Sequence, residues 1–188
     1  DGAFYDCKNL TQVTIPASLT KIGGNAFKGC TSLTDLFIHN KITKVGADVV
    51  NTDINQVTLE NGVYYLGTNN NPYFIAMKVK DEESSSVTIN ENCVVLSDEL
   101  FYYMYNLEEV NIPESVKYYG SNLFSGNQYL KEISITNNNA VLDIEVFKYS
   151  YIDKVYFAGT KAEWASVFNG EKWFFQSDHI AIICTDGE

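Results

Sequence analysis

The sequence predicts a β-rich repeat solenoid, and three observations carry that prediction. An aromatic marker returns at a fixed interval, an alternating apolar strand pattern follows it at a fixed offset, and prolines and glycines punctuate the better copies at matching places. The opening "DGAFYDCKNLTQVTI" and the later "GNAFKGCTSLTDLFI" share Phe, Cys, Leu and Ile in one order, each pair 23 residues apart. A fixed period of that size marks stacked supersecondary units.

Length and composition bound the rest. At 188 residues, 45% of them apolar, the chain has the length of one domain and enough material for a core. Thirteen basic against 24 acidic residues give a formal charge of −11. That balance disfavours nucleic acid, heparin-like polymers and anionic membranes as partners, because each requires a basic patch. No run approaches the roughly 18 consecutive apolar residues of a membrane span. "DGAF" falls inside a repeat with no signal-like segment before it, so the chain reads as a fragment of a longer polypeptide lacking its targeting segment and N-terminal cap.

The markers are Phe4, Phe27 and Val50, then Phe101, Phe124 and Phe147, in two groups with 23-residue steps. Strands follow them. Val13 and Ile15, Leu36 and Ile38, Val110 and Ile112, and Ile133 and Ile135 are apolar pairs two residues apart, as in a strand with one buried face. Val57 and Leu59, Val87 and Ile89, and Val155 and Phe157 take the same slots in the less regular copies, for seven strands in all. Pro16 and Pro113 end their strands because proline cannot donate to a ladder. Leu19 and Ile22, or Val116 and Tyr119, then return apolar side chains to the core. "GGNAFKGC" and "GSNLFSGN" curl the chain back. Each unit has too few apolar groups to bury them alone, so neighbouring coils must stack and the strands must run parallel.

Cys7 and Cys30 occupy the same slot of successive repeats, Cys93 falls where Leu19 falls, and Cys184 lies in "IAIIC". All four read as small buried apolar residues with free thiols, although a Cys7–Cys30 bridge fits the distance between adjacent coils.

Between Leu59 and Ile89, "GVYYLG" and "YFIAMKVK" are β-rich runs joined by the turn signal "TNNNP", and "DEESSS" reads as a solvated exit loop. This predicts a hairpin insertion at about 60–86 that replaces the back half of one coil. At the far end Thr160 and Glu163 form a capping-box pattern, followed by Trp164, Val167 and Phe168 on one helical face and a strand near His179–Cys184. The organisation is thus a repeat array over 1–159 and a small α/β cap over 160–188 that covers the last coil.

"LTQVTIPASLTKIGGNAFKGCTSLTDLFI" and "LEEVNIPESVKYYGSNLFSGNQYLKEISI" resemble the BspA-type leucine-rich repeats of surface proteins from gut and oral bacteria and trichomonad parasites. The resemblance covers most of residues 3–157, and "VYFAGTKAEWASV" is similar to segments that close such arrays. It implies a right-handed leucine-rich-repeat solenoid with a parallel concave sheet and short helical turns or short strands on the back. It also implies a place on the cell surface or in the secreted fraction, and use in adhesion or other protein recognition. The third repeat departs from the pattern, with Val50 for the aromatic and no Ile-Pro.

Reactive chemistry is sparse. His39 and His179 lack a second ligand at metal spacing, and His39 reads as a polar residue at a strand end. No CxxC, HExxH, G-x-S-x-G, Walker or EF-hand pattern occurs. Glu108, Glu109 and Glu114 sit in the polar part of a repeat and read as a solvated face. Trp164 and Trp173 suit cap packing better than a sugar platform. What remains is a surface. Residues alternating with the buried ones form one outward column of Gln12, Asp35, Gln56, Ser86, Glu109, Glu132 and Lys154. A second holds Thr14, Phe37, Thr58, Thr88, Asn111, Ser134 and Tyr156.

These columns are the candidate binding residues, with Phe37 and Tyr156 the only large aromatics among them. The expected function is non-enzymatic recognition of a host or microbial protein, with no cofactor and no metal. A structural spacer presenting another domain of a longer surface protein is the first alternative, and a carbohydrate-binding module the second.

Overall fold

The computed structural model describes residues 1–168 and 179–187. Each regular coil supplies a front strand and a two-residue back strand. The first two coils hold β1 (Gln12–Thr14) with β2 (Lys21–Ile22) and β3 (Asp35–Phe37) with β4 (Lys44–Val45). An antiparallel meander follows, β5 (Val57–Glu60), β6 (Val63–Thr68) and β7 (Asn71–Val79). Three further coils hold β8 (Ser86–Thr88) with β9 (Val95–Leu96), β10 (Glu109–Asn111) with β11 (Tyr118–Tyr119), and β12 (Glu132–Ile135) with β13 (Val141–Leu142). The chain closes with β14 (Lys154–Phe157), the single-turn helix α1 (Lys161–Trp164) and β15 (Ala181–Ile183). The predicted β-solenoid is present, with short strands on its back.

The repeat period becomes the pairing register. β1 pairs parallel with β3, matching Gln12 to Asp35 and Thr14 to Phe37, and β8 pairs parallel with β10. β12, β14 and β15 form a three-stranded parallel sheet in which Glu132 faces Lys154 and Ser134 faces Tyr156. Marker phenylalanines stack between coils. Phe4 lies 5.3 Å from Phe27 with rings 5° apart, Phe101 lies 5.8 Å from Phe124, and Phe124 lies 5.9 Å from Phe147. Phe27, Phe101, Phe124 and Phe147 are buried. Backbone bonds beside the rings repeat the step, with Phe4 N–H donating to Ala26 and Phe27 N–H to Val49.

The third strand departs from the expected parallel stack. β5 runs antiparallel to β6 in place of joining β3, and Leu59, expected in a buried slot, is 44% exposed. The reason lies in the hairpin. β7 pairs parallel with β9, so the hairpin enters the back sheet, ordered β13, β11, β9, β7, β6, β5, and draws β5 with it. Successive side chains of a strand point to opposite faces, and the hairpin uses both. Leu66, Phe74, Ile75 and Met77 join the core of the first coils, whereas Val63, Tyr65, Ala76 and Val79 join the core of the later ones. It is a partition between two cores. The Tyr65 hydroxyl accepts from Asn90 N–H at 3.0 Å, tying the hairpin to the fourth coil, and burial pushes its pKa up to about 12.

Two expectations fail in the first coil. Cys7 is exposed, unlike buried Cys30, Cys93 and Cys184, and Leu19 is 39% exposed. In this chain the first coil packs against the second, and both slots face solvent. All four cysteines are free thiols, and burial pushes Cys93 up to about 12.

The cap forms as the capping box requires. Glu163 N–H donates to the Thr160 hydroxyl at 3.3 Å and Thr160 N–H to the Glu163 carboxylate at 2.7 Å. α1 ends at Trp164, so Val167 and Phe168 follow the helix, yet both are buried. The Trp164 ring meets Phe157 at 5.2 Å and Phe168 at 5.7 Å, both edge-on, in a packing role against the last coil. Trp173 lies outside the described residues.

Candidate recognition surface

The front strands alternate as a half-buried sheet dictates. Leu36, Val87, Ile133 and Val155 are buried, while Gln12, Thr14, Ser86, Thr88, Glu109, Asn111, Glu132, Ser134, Lys154 and Tyr156 are exposed. The columns are best formed on β12 and β14. There Lys154 Nζ lies 2.9 Å from Glu132 Oε1 and the Tyr156 hydroxyl donates to Glu132 Oε2 at 3.2 Å. The lysine hydrogen bond holds the Glu132 carboxyl below its ordinary pKa, and the same contact raises Lys154. The result is a small charged patch with one aromatic ring, 39% exposed.

At the other end the candidates are spent on the fold. Asp35, Phe37, Gln56 and Thr58 are half-buried. Leu36 N–H, left without a strand partner because β5 turned away, donates to Gln56 Oε1 at 2.7 Å. Gln56 Nε2 and Asn55 Nδ2 then donate to Asp35 Oδ1, and the Thr34 hydroxyl to Asp35 Oδ2. The Asn55, Thr34 and Gln56 donors together lower the Asp35 pKa. A side-chain amide has replaced a missing strand, because an unpaired backbone donor is costly where water cannot reach it.

His39, in the strand-end slot held by Pro16 one coil earlier, behaves as a strand-end residue. Lys41 N–H donates to Nδ1 at 3.1 Å, so the proton sits on Nε2, which donates to the Pro16 carbonyl at 2.8 Å. Glu108, Glu109 and Glu114 are exposed, and among the described residues no group of three His, Cys, Asp or Glu is placed to hold a metal ion. No helix among the described residues is long and apolar enough to cross a membrane.

A cluster of three exposed tyrosines lies outside the columns. Tyr102, Tyr103 and Tyr105 all follow the marker Phe101 and are all exposed. Their signal was present as "FYYMY", in which tyrosines fill outward turn positions held by Lys28 and Gly29 in the second repeat. They lie on a turn, outside any strand alternation.

The BspA type leucine rich repeat region matches in six copies over residues 1–73 and 80–173. No curated protein matches the chain. Among solved structures, a leucine rich cell surface protein from Faecalibacterium prausnitzii A2-165 is 14% identical with a TM-score of 0.45, covering 88% of this chain and 64% of its own. A leucine-rich repeat protein from Eubacterium ventriosum is 20% identical with a TM-score of 0.49, covering 79% of this chain and 42% of its own. The chain thus spans less than two thirds of either structure. On the repeat match over most of its length, the chain belongs to the BspA-type leucine-rich repeat family.

Proposed function

We propose that this chain is a non-enzymatic recognition module, displayed at a cell surface or secreted, that binds a protein through its front strand face. The observation that carries the reading is the exposed patch of Glu132, Lys154, Ser134 and Tyr156 on two strands in parallel register. Strands about 4.8 Å apart set out side chains as evenly spaced rungs, which suits an extended protein epitope better than a small molecule. A partly exposed tyrosine beside an ion pair is a suitable anchor, since aromatic groups dominate interfaces where they become desolvated.

The test is a binding screen of purified extracellular proteins against the chain, repeated with Tyr156→Ser and Phe37→Glu alongside thermal melts. Tyr156→Ser should weaken a bound partner by about tenfold or more with its melting transition intact. Unchanged binding by both variants at unchanged stability would remove the front face as the site. A partner held by the flanks alone would favour the spacer reading.

A further inference from the structure

We propose that the cleft between the hairpin and the fourth coil binds a protein segment by taking up a lysine or arginine side chain. The cleft shares no residue with the front columns, so this site is separate from the one proposed above. It has a volume of about 420 Å³ and lies where β7 and the exit loop of the hairpin meet the turn after Phe101.

Three tyrosine rings form one wall. Tyr102 meets Tyr103 at 4.4 Å and 79°, and Tyr103 meets Tyr105 at 5.5 Å and 64°. Rings standing steeply to one another offer an edge-and-face corner, and the negative ring faces attract a cation placed against them. The three rings are 45–49% exposed, so they are open to a ligand and still anchored. Tyr103 is held in place. Its φ is 54°, in the left-handed region where the next coil has Gly126, and its ring lies so close over that glycine that a Cβ there would come within 2.8 Å of it. A bulky residue in this conformation is an outlier among side chains.

The rest of the lining is negative. Asp48, Glu82, Glu83, Asp98 and Glu99 line the cleft with Lys78 as its single basic residue among the described ones. Several of these are engaged: Asp48 pairs with Lys28 at 2.7 Å, Asp98 accepts from Ser121 N–H at 2.8 Å, and Glu83 accepts from Asn106 at 2.8 Å. The Glu99 carboxylate has no hydrogen-bond or ion-pair partner among the described residues, and its backbone is fixed, N–H donating to the Ser121 carbonyl and C=O accepting from Tyr102 N–H. A ring wall takes the apolar stem of a long basic side chain and a carboxylate takes its head. A neutral sugar would use the rings and leave the charge unmatched. The volume suits one such side chain with its flanking backbone.

The experiment is a titration with a capped tetra-arginine peptide, followed by tyrosine fluorescence at about 0.15 M salt. Capped tetraglutamate and arginine amide serve as comparison probes. Saturable binding of tetra-arginine is expected, weakened about tenfold in Tyr102→Ser/Tyr105→Ser and about threefold in Glu99→Gln. Tyr156→Ser on the front face should leave it unchanged, so failure here and failure of the front-face reading are separate results. Glu99→Gln is a near-isosteric change at an exposed position and decides the matter if the tyrosine variant loses its melting transition. Equal binding by folded variants would mean diffuse attraction to an acidic chain and would overturn the site. Arginine amide binding as tightly as the peptide would overturn the protein segment in favour of a small cation, and binding of tetraglutamate would overturn the charge argument.

Discussion

After the hairpin Phe101, Phe124 and Phe147 stack ring on ring with interplanar angles of 15° and 12°, whereas the third repeat carries Val50 at the marker and the stack that began with Phe4 and Phe27 stops there. The regular coils hold together by repeating one contact. The third coil holds by single-use contacts: the Gln56 amide on Leu36 and the Tyr65 hydroxyl on Asn90. Where the repeat is intact, stability comes from buried apolar area shared between neighbours. Where it is broken, individual polar groups must satisfy the backbone and charges left behind.

Phe124→Ala removes the middle of a buried stack and should cost about 3–5 kcal/mol of unfolding free energy. Val50→Ala at the interrupted marker, already half-buried, should cost about 1 kcal/mol. Urea unfolding of both variants measures the difference, and equal costs would mean that the aromatic ladder is not what binds the regular coils.

A middle-sized effect belongs to Gln56. Gln56→Ala leaves Leu36 N–H without its acceptor and should cost about 1 kcal/mol. Amide exchange at Leu36 should accelerate, while exchange at Ile133, inside the regular sheet, should not change. Slow exchange retained at Leu36 would show that another group covers that edge.

Burial raises Asp98 above the ordinary carboxylate value of 3.8, despite the Ser121 amide and Lys44 beside it. Asp143 is also pushed up by burial, but hydrogen bonds from Lys44, Glu145 N–H and Ser121 outweigh this and leave it lowered. Asp98 therefore contributes stability that is full below about pH 4 and lost as pH rises through its raised value. Asp143 works the other way, contributing fully above about pH 4 and losing that contribution as pH falls through its depressed value. Asp98→Asn should flatten the stability profile above pH 4, and Asp143→Asn should flatten it below. Denaturant midpoints across the acid range give the answer; a profile unmoved by Asp143→Asn would mean Lys44 does not hold that carboxylate.

The coils were legible in the sequence. The 23-residue step, the Val-x-Ile and Leu-x-Ile alternation and the Ile-Pro stops follow from local geometry, since a strand has period two and proline cannot donate. The front pairing of Gln12 with Asp35 and of Glu132 with Lys154 was therefore legible, as were the hairpin and the Thr160–Glu163 cap. The hairpin's place at the back of a coil was legible too; its pairing depended on tertiary structure. β7 met β9 on the back sheet, turned β5 away from β3, exposed Leu59 and converted Gln56 from a surface candidate into a backbone partner. The same long-range packing brought Tyr102, Tyr103 and Tyr105 into one cleft with Glu82 and Glu83 of the hairpin's exit loop. Periodicity reports which side of its own element a residue occupies; which distant element it faces depends on the burial the whole chain achieves.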